Sequence, residues 1–432
     1  MTSPSILKVL IVFFTVLVAN RLRVPLGIAL ACGGLLLDYW AKINLFNVMI
    51  DCVDALMMPE LWLLLLDISL ISILGHYLSS PNISASLLGA ARQLGGKRRG
   101  TLLSLIIIPA LIGMVPMPGG ALFSAPLVGR GAEGDQYPPQ WKAAVNYWFR
   151  HVLEYWWPLY PVVIVTLSIF PISAWQFIAI QLPFTILSIT AGYFFLLRPY
   201  REMLTLQQHP PQPDGTTTLF IALFPVVLVL AATLLLPKFL GQFLPHATPA
   251  THRLTAMLCG LLASLSLPSV QKNMGSNSII QTLFSARTAK MIGTLAGVMF
   301  FHSLLERSSL MNLAAHEAVL YPSAVFLIAG ILPFVAGFVT GIAIGFAGIA
   351  FPLVIGLITS AHPTLGVFSG ISLAFSMGYC GMMLSPVHLC LVLTREYFQT
   401  TYFNTIRMLL PPMVAIMSGG VLLHLIFLRL GL

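Results

Sequence analysis

A chain of 432 residues that is 58% hydrophobic and only 8% charged, with a mean hydropathy of +0.91, is too apolar along almost every long window for a soluble domain. A net charge of +9 would suggest nucleic acid in a soluble chain, but here the basic residues gather in short loops between apolar runs, where they act as orientation signals. The composition reads as an all-α polytopic membrane protein with no nucleic-acid partner.

In chain order the apolar runs predict about ten transmembrane helices, at 5–19, 24–40, 60–79, 141–169, 172–197, 218–236, 253–268, 288–305, 364–393 and 404–428. Each is long enough, or nearly so, to cross roughly 30 Å of hydrocarbon at about 1.5 Å per residue. The first run has no convincing cleavage site and is read as an uncleaved span. Segment 44–57, with Asp51 and Asp54 on one flank, reads as an interfacial amphipathic helix. The five cysteines, Cys32, Cys52, Cys259, Cys380 and Cys390, show no Cys/His ligand spacing and read as small core residues, with no metal site and no cofactor.

Two apolar regions, 101–129 and 321–359, are interrupted near their middles by Gly, Pro or Thr. As re-entrant hairpins they leave Arg21, Arg23, Arg92, Lys97, Arg98, Arg99, Arg198, Arg201, Lys272, Arg287, Lys290, Arg395 and Arg407 on one side, the cytoplasm, with both termini outside. As full crossings they would scramble that asymmetry.

The two hairpin regions also head a weak internal repeat. His76 precedes Pro109 by 33 residues and His302 precedes Pro333 by 31, a Pro-x-x-x-Gly-x-Val core follows in both, and Pro126 and Pro352 close the hairpins. The order of features predicts a first repeat over 1–206, a cytoplasmic linker over 207–217 and a second repeat of inverted topology over 218–432. Each hairpin precedes a broken span: "NYWFRHVLEYWWPLYP" within 141–169 and "SMGYCGMMLSPVHL" within 364–393. Irregular backbone at membrane depth is tolerated only where protein or a water-filled cavity satisfies it, so both tips are expected to line a site. A helix starting near Gly120 and Ala121 would present its positive N-terminal end there.

This arrangement resembles the ion transporter superfamily, which includes divalent-anion/sodium symporters and citrate, gluconate and C4-dicarboxylate carriers. Within it, the "PMPGG" tip at 116–120 followed by "NYWFRHVLEYWWPLYP" at 146–161 is similar to the bacterial family called domain of unknown function 401. The resemblance implies a homodimer with a scaffold and a moving transport domain working by an elevator-like motion. The Ser-Asn-Thr tips of the sodium/dicarboxylate symporters are absent here.

Arg150 is the one guanidinium near the tips and is suited to bidentate capture of a carboxylate or phosphate. Asn146, Thr340, Gly341, Gly378, Ser385 and the tip residues Pro116, Met117, Pro118, Gly119 and Gly120 complete the expected cradle for a small anionic solute. Arg150 and Glu154, spaced i, i+4 on one expected helix, can instead form a structural pair. Glu154, His151 and Asp67 are candidate proton carriers, since buried ionisable groups are costly unless they work. His76, His302 and His388 read more readily as capping or core histidines. The aromatic cluster Trp148, Phe149, Tyr155, Trp156, Trp157 and Tyr160 fits either a cavity wall or helix packing.

The expected function is a secondary active transporter in the inner (cytoplasmic) membrane, moving a small organic anion with a proton or sodium ion. The alternatives are an ion channel, a cation/proton antiporter, or an intramembrane enzyme acting on a lipid-linked substrate. The enzyme is disfavoured because no Walker A loop, HExxH or GxSxG in a strand-to-helix setting is present.

Overall fold

The computed structural model describes residues 5–78, 80, 83, 96–114, 120–132, 137–201, 216–308, 310, 313, 314, 317, 327–360 and 366–432. Every regular element among them is helical. The linker at 207–217 divides between 207–215, outside the described residues, and the first turn of the helix that follows.

The chain opens with α1 (Ser5–Arg21), α2 (Leu26–Lys42), α3 (Leu45–Met57) and α4 (Pro59–Leu78). Ile43 closes α2 in the left-handed conformation, and the Asn44 side chain accepts the Phe46 N–H at 3.0 Å to start α3. The acidic face of α3 turns inward, where Asp51 pairs with Lys42 and Asp54 accepts from Arg307 at 2.7 Å. Its opposite face exposes Phe46, Met49, Ile50, Val53 and Met57, the two-sided helix expected from the sequence.

The first interrupted region forms α5 (Gly96–Gly113) and α6 (Ala121–Gly131). α5 begins five residues before the expected hairpin boundary, so the basic run at 97–99 belongs to its first turn. There follow α7 (Pro139–Arg150), α8 (Pro161–Ile169) and α9 (Ala174–Gly192), the last extended by a π turn to Leu197. In the second half α10 (Thr216–Phe243) pairs with α11 (Pro249–Leu265). Two short helices, α12 (Pro268–Asn273) and α13 (Ser276–Leu283), occupy a stretch read as loop. α14 (Ala286–Arg307), α15 (Leu332–Thr340), α16 (Ala343–Ser360), α17 (Val367–Leu384), α18 (Leu389–Tyr397) and α19 (Tyr402–Leu430) complete the chain.

Among the described residues, six helical segments are long and apolar enough to cross a membrane. The 17-residue α1, α2 and α11 and the α7–α8 pair account for the remaining spans read from the sequence. One set of helices, α2, α3, α4, α10, α11, α13 and α14, packs together. The other is centred on α7 and α17, whose residues from Ala143 to Arg150 and from Ser369 to Met383 are almost all buried. Each hairpin lies against the interrupted helix that follows it: α5 and α6 on α7, and α15 and α16 on α17.

Candidate functional site

Pro139 at the first helical position starts α7, and the helix stops at Arg150. Residues 151–160 run through turns until Pro161, again at a helix start, begins α8. The end of α5 fits directly into this interruption. A Cβ on Gly113 would lie 1.9 Å from the Arg150 carbonyl oxygen, so only glycine allows the approach. The Tyr160 hydroxyl donates to the Gly113 carbonyl from the far side of the break.

The second interruption has a similar plan. α17 ends at Leu384 and α18 begins at Leu389. Ser385 Oγ donates to the Phe338 carbonyl at 2.6 Å, and His388 Nδ1 contacts the Gly341 carbonyl at 2.7 Å. Gly341, at φ +66°, turns the chain from α15 toward α16. α15 and α17 approach backbone to backbone: a Cβ on Gly381 would lie 2.0 Å from the Phe334 carbonyl oxygen, and one on Gly337 2.2 Å from that of Gly378.

The two breaks meet. His151 Nε2 lies 3.2 Å from His388 Nε2, and the Cys390 thiol shares their neighbourhood, the three ligating atoms lying within 4.8 Å of one another. Tyr379 on α17 donates its hydroxyl to the His151 carbonyl at 2.7 Å and contacts Glu154 Oε2 at 3.1 Å. Tyr147 donates to the Met383 carbonyl at 2.9 Å. Asn146 Nδ2 is within 3.2 Å of both the Ala121 carbonyl and Thr394 Oγ1, linking the start of α6 to α18. Because the Ala121 carbonyl can only accept, the amide orientation is fixed, and Asn146 Oδ1 is buried without a hydrogen-bond partner among the described residues.

Of the residues expected at the site, Asn146, Arg150, His151, Glu154, Gly341 and Ser385 gather at this junction, and Arg150 is 2% exposed. Gly120 is described, buried at the start of α6. Pro116, Met117, Pro118 and Gly119 lie outside the described residues. The Thr340 hydroxyl bonds its own helix end, donating to the Ala336 carbonyl at 2.7 Å. Gly378 is covered by the Phe346 ring. Asp67 stands apart on α4, fully buried, with neither carboxyl oxygen hydrogen-bonded among the described residues.

One expectation is corrected. Arg150 and Glu154 do not share a helical turn, because α7 ends at Arg150. Glu154 Oε2 accepts from Tyr379, and its Oε1 lies 3.9 Å from His151 Nε2. The aromatic residues serve packing: Trp148 donates to the Ser188 carbonyl at 2.9 Å, and the Tyr155 and Tyr379 ring centroids lie 4.3 Å apart. The sequence reading took Cys390 for a small core residue without Cys/His ligand spacing and His388 for a lone histidine, and both readings are corrected by their place at the junction. Their common signal is the His-x-Cys spacing at the start of α18; the third member, His151, is remote in sequence.

Apolar helices interrupted at a shared buried junction define a multi-pass membrane protein, helical in every regular element of its described residues, with polar side chains gathered at the two breaks. Among solved structures the chain is similar to the YdaH transporter of Alcanivorax borkumensis, with 13% sequence identity, coverage of 90% of each chain and a TM-score of 0.55. Residues 6–427 match the family described as "Protein of unknown function (DUF401)", and the chain belongs to that family. No curated protein matches it.

Proposed function

We propose that this chain is a secondary active transporter that carries a small organic anion, a carboxylate or sugar acid, across the cytoplasmic membrane on a proton or sodium gradient. The observation that carries this reading is the meeting of the two helix breaks, His151 against His388 at 3.2 Å, with the Arg150 guanidinium buried beside them. Four helices, α6, α8, α16 and α18, begin at a hairpin turn or a break. Helix N-termini and a guanidinium both favour negative charge, and both act more strongly away from water. Asn146 Oδ1 adds an acceptor for a hydroxyl on the solute or for a cation.

In this reading residues 1–206 and 218–432 are inverted repeats, and one group of helices slides against the other in a homodimer to expose the junction to each side in turn. The likeness in fold to a transporter supports the class, and the charge at the junction supports the substrate class. The test is a thermal-shift screen of the purified protein against carboxylates, sugar acids, phosphate and amino acids, with and without sodium, followed by uptake into proteoliposomes. A ligand at about 100 times its Kd stabilises the folded state by about 2.7 kcal/mol. Arg150→Lys keeps the charge but loses the bidentate fork, and is expected to weaken apparent affinity by about tenfold or more, on the order of 1.4 kcal/mol. Unchanged affinity in a variant that reaches the membrane removes Arg150 from the site. The absence of saturable, gradient-driven anion uptake overturns the reading as a whole.

A further inference from the structure

Both histidines at the junction present a bare ring nitrogen to the other. His151 Nδ1 lies 2.6 Å from the Tyr147 carbonyl and His388 Nδ1 lies 2.7 Å from the Gly341 carbonyl. A carbonyl oxygen can only accept, so in each neutral ring Nδ1 carries the hydrogen and Nε2 carries the lone pair. The two Nε2 atoms nevertheless face each other at 3.2 Å. The Cys390 thiol is within hydrogen-bond reach of both rings, but its single hydrogen serves only one lone pair at a time, and two lone pairs at that distance repel unless a proton or a cation lies between them.

We infer that His151, His388 and Cys390 form a binding site for a divalent transition-metal ion, Zn²⁺ being the best match, at the junction of the two broken helices. Zinc binds imidazole nitrogen at about 2.0–2.1 Å and thiolate at about 2.3 Å, which places two nitrogens of a tetrahedral site about 3.3 Å apart. The Nε2 separation of 3.2 Å is close to that value, and the sulfur lies within 4.8 Å of the histidine ligand atoms, close enough for a side-chain adjustment to bring it in. A ligating histidine characteristically donates its other ring N–H to a carbonyl or carboxylate, which fixes the tautomer; both histidines here meet that condition.

The surroundings suit the ion. Cys390 lies in the first turn of α18, where the helix dipole complements a thiolate. Glu154 Oε1 lies 3.9 Å from His151 Nε2, outside the three-residue cluster but near enough to serve a water bound to the ion as a hydrogen-bond acceptor. A thiolate and a carboxylate together balance a divalent charge beside Arg150. An imidazole-imidazole-thiolate set is a borderline-to-soft donor set, which disfavours Mg²⁺ and Ca²⁺. Because His151 comes from the first broken helix and His388 and Cys390 from the second, the ion would tie the two breaks together.

The full-length protein, purified under reducing conditions and equilibrated with Zn²⁺, is expected to retain one zinc per chain after desalting. Loaded with Co²⁺ instead, it is expected to show a thiolate-to-metal charge-transfer band and tetrahedral d–d bands. Cys390→Ser should abolish the charge-transfer band, and His388→Gln should reduce retained zinc at least tenfold. The wild-type cobalt spectrum is decisive even if a variant fails to fold. A wild-type protein that retains no zinc and gives no charge-transfer band overturns the inference, leaving the histidines to share a proton. Zinc retention unaffected by either variant overturns it as well. These assays read metal and not flux, so their outcome is separate from that of the transport reading.

Discussion

His388 holds the carbonyl of Gly341 at 2.7 Å, joining the break in one helix to the turn of the hairpin packed against it. The contact depends on Gly341 adopting φ +66° in a crowded place. A Cβ there would meet Val387 Cγ2 at 2.8 Å and both the His388 nitrogen and Ser385 Oγ at 3.0 Å. Gly431 has nearly the same backbone, φ +71°, with nothing within 4 Å of a Cβ. Left-handed backbone costs an L residue about 1–2 kcal/mol, and crowding adds about 1–3 kcal/mol. Gly341→Ala should therefore lower the apparent unfolding midpoint clearly more than Gly431→Ala. Equal shifts in detergent-solubilised protein would show that the hairpin turn yields to the extra atom.

The helix interruptions were legible in the sequence because Gly and Pro are rare signals against an apolar background. "VTGIAIG" and "WWPLYP" announce irregular backbone whatever packs around them. Arg150 and Asn146 were legible for the same reason, as polar residues in the wrong solvent. What joins the two halves was not legible. His151 and His388 are 237 residues apart, and neither local spacing nor periodicity encodes that register. The shared helical turn expected for Arg150 and Glu154 was misread for a related reason: i, i+4 geometry presumes a continuous helix, and the helix ends at Arg150, where the Gly113 backbone packs against its carbonyl.

Glu317 caps the start of α1 from far along the chain, accepting the Ser5 N–H at 2.8 Å and the Ile6 N–H at 2.9 Å. Burial pushes its carboxyl up, but the backbone donors of Ile6 and Ser5 outweigh it and hold the group below its ordinary value. A lowered folded-state pKa means that the carboxylate contributes stability above the unfolded value, about 4.3, and loses it as pH falls through the folded one. Protection of the first amides of α1 against hydrogen exchange, taken relative to the intrinsic rate at each pH, should accordingly be high at neutral pH and fall on acidification. In Glu317→Gln that pH dependence should vanish, with lower protection at neutral pH. Identical profiles for variant and wild type would mean that the cap is not formed.

Asp67 is fully buried on α4, and no hydrogen bond reaches its carboxyl oxygens among the described residues. An ionised carboxylate so placed would cost several kcal/mol, so Asp67→Asn, which is nearly isosteric, should fold at least as stably as wild type. The transport reading proposes proton coupling as the work this costly group does. Gradient-driven uptake should be lost in Asp67→Asn while counterflow exchange persists. Uptake that responds normally to the gradient would eliminate Asp67 as the coupling group.

The seam between α2 and α14 makes a finer distinction among glycines. Residues 293–297, "GTLAG", have the small-x-x-x-small spacing that lets membrane helices approach closely, yet its two glycines do different jobs. A Cβ on Gly297 would lie 2.2 Å from the Gly27 carbonyl oxygen and 2.4 Å from its α-carbon, whereas one on Gly293 meets nothing within 4 Å. Gly293 contributes its carbonyl oxygen to the seam, lying 2.0 Å from where a Gly27 Cβ would sit, and any residue can supply a carbonyl. Gly293→Ala should therefore be neutral, or stabilising by up to about 1 kcal/mol through helix propensity. Gly297→Ala must part the two backbones, and should destabilise by about 1–3 kcal/mol or more. Thermal unfolding of the two variants side by side decides the matter: equal effects would mean that the helices do not meet at Gly297 and Gly27.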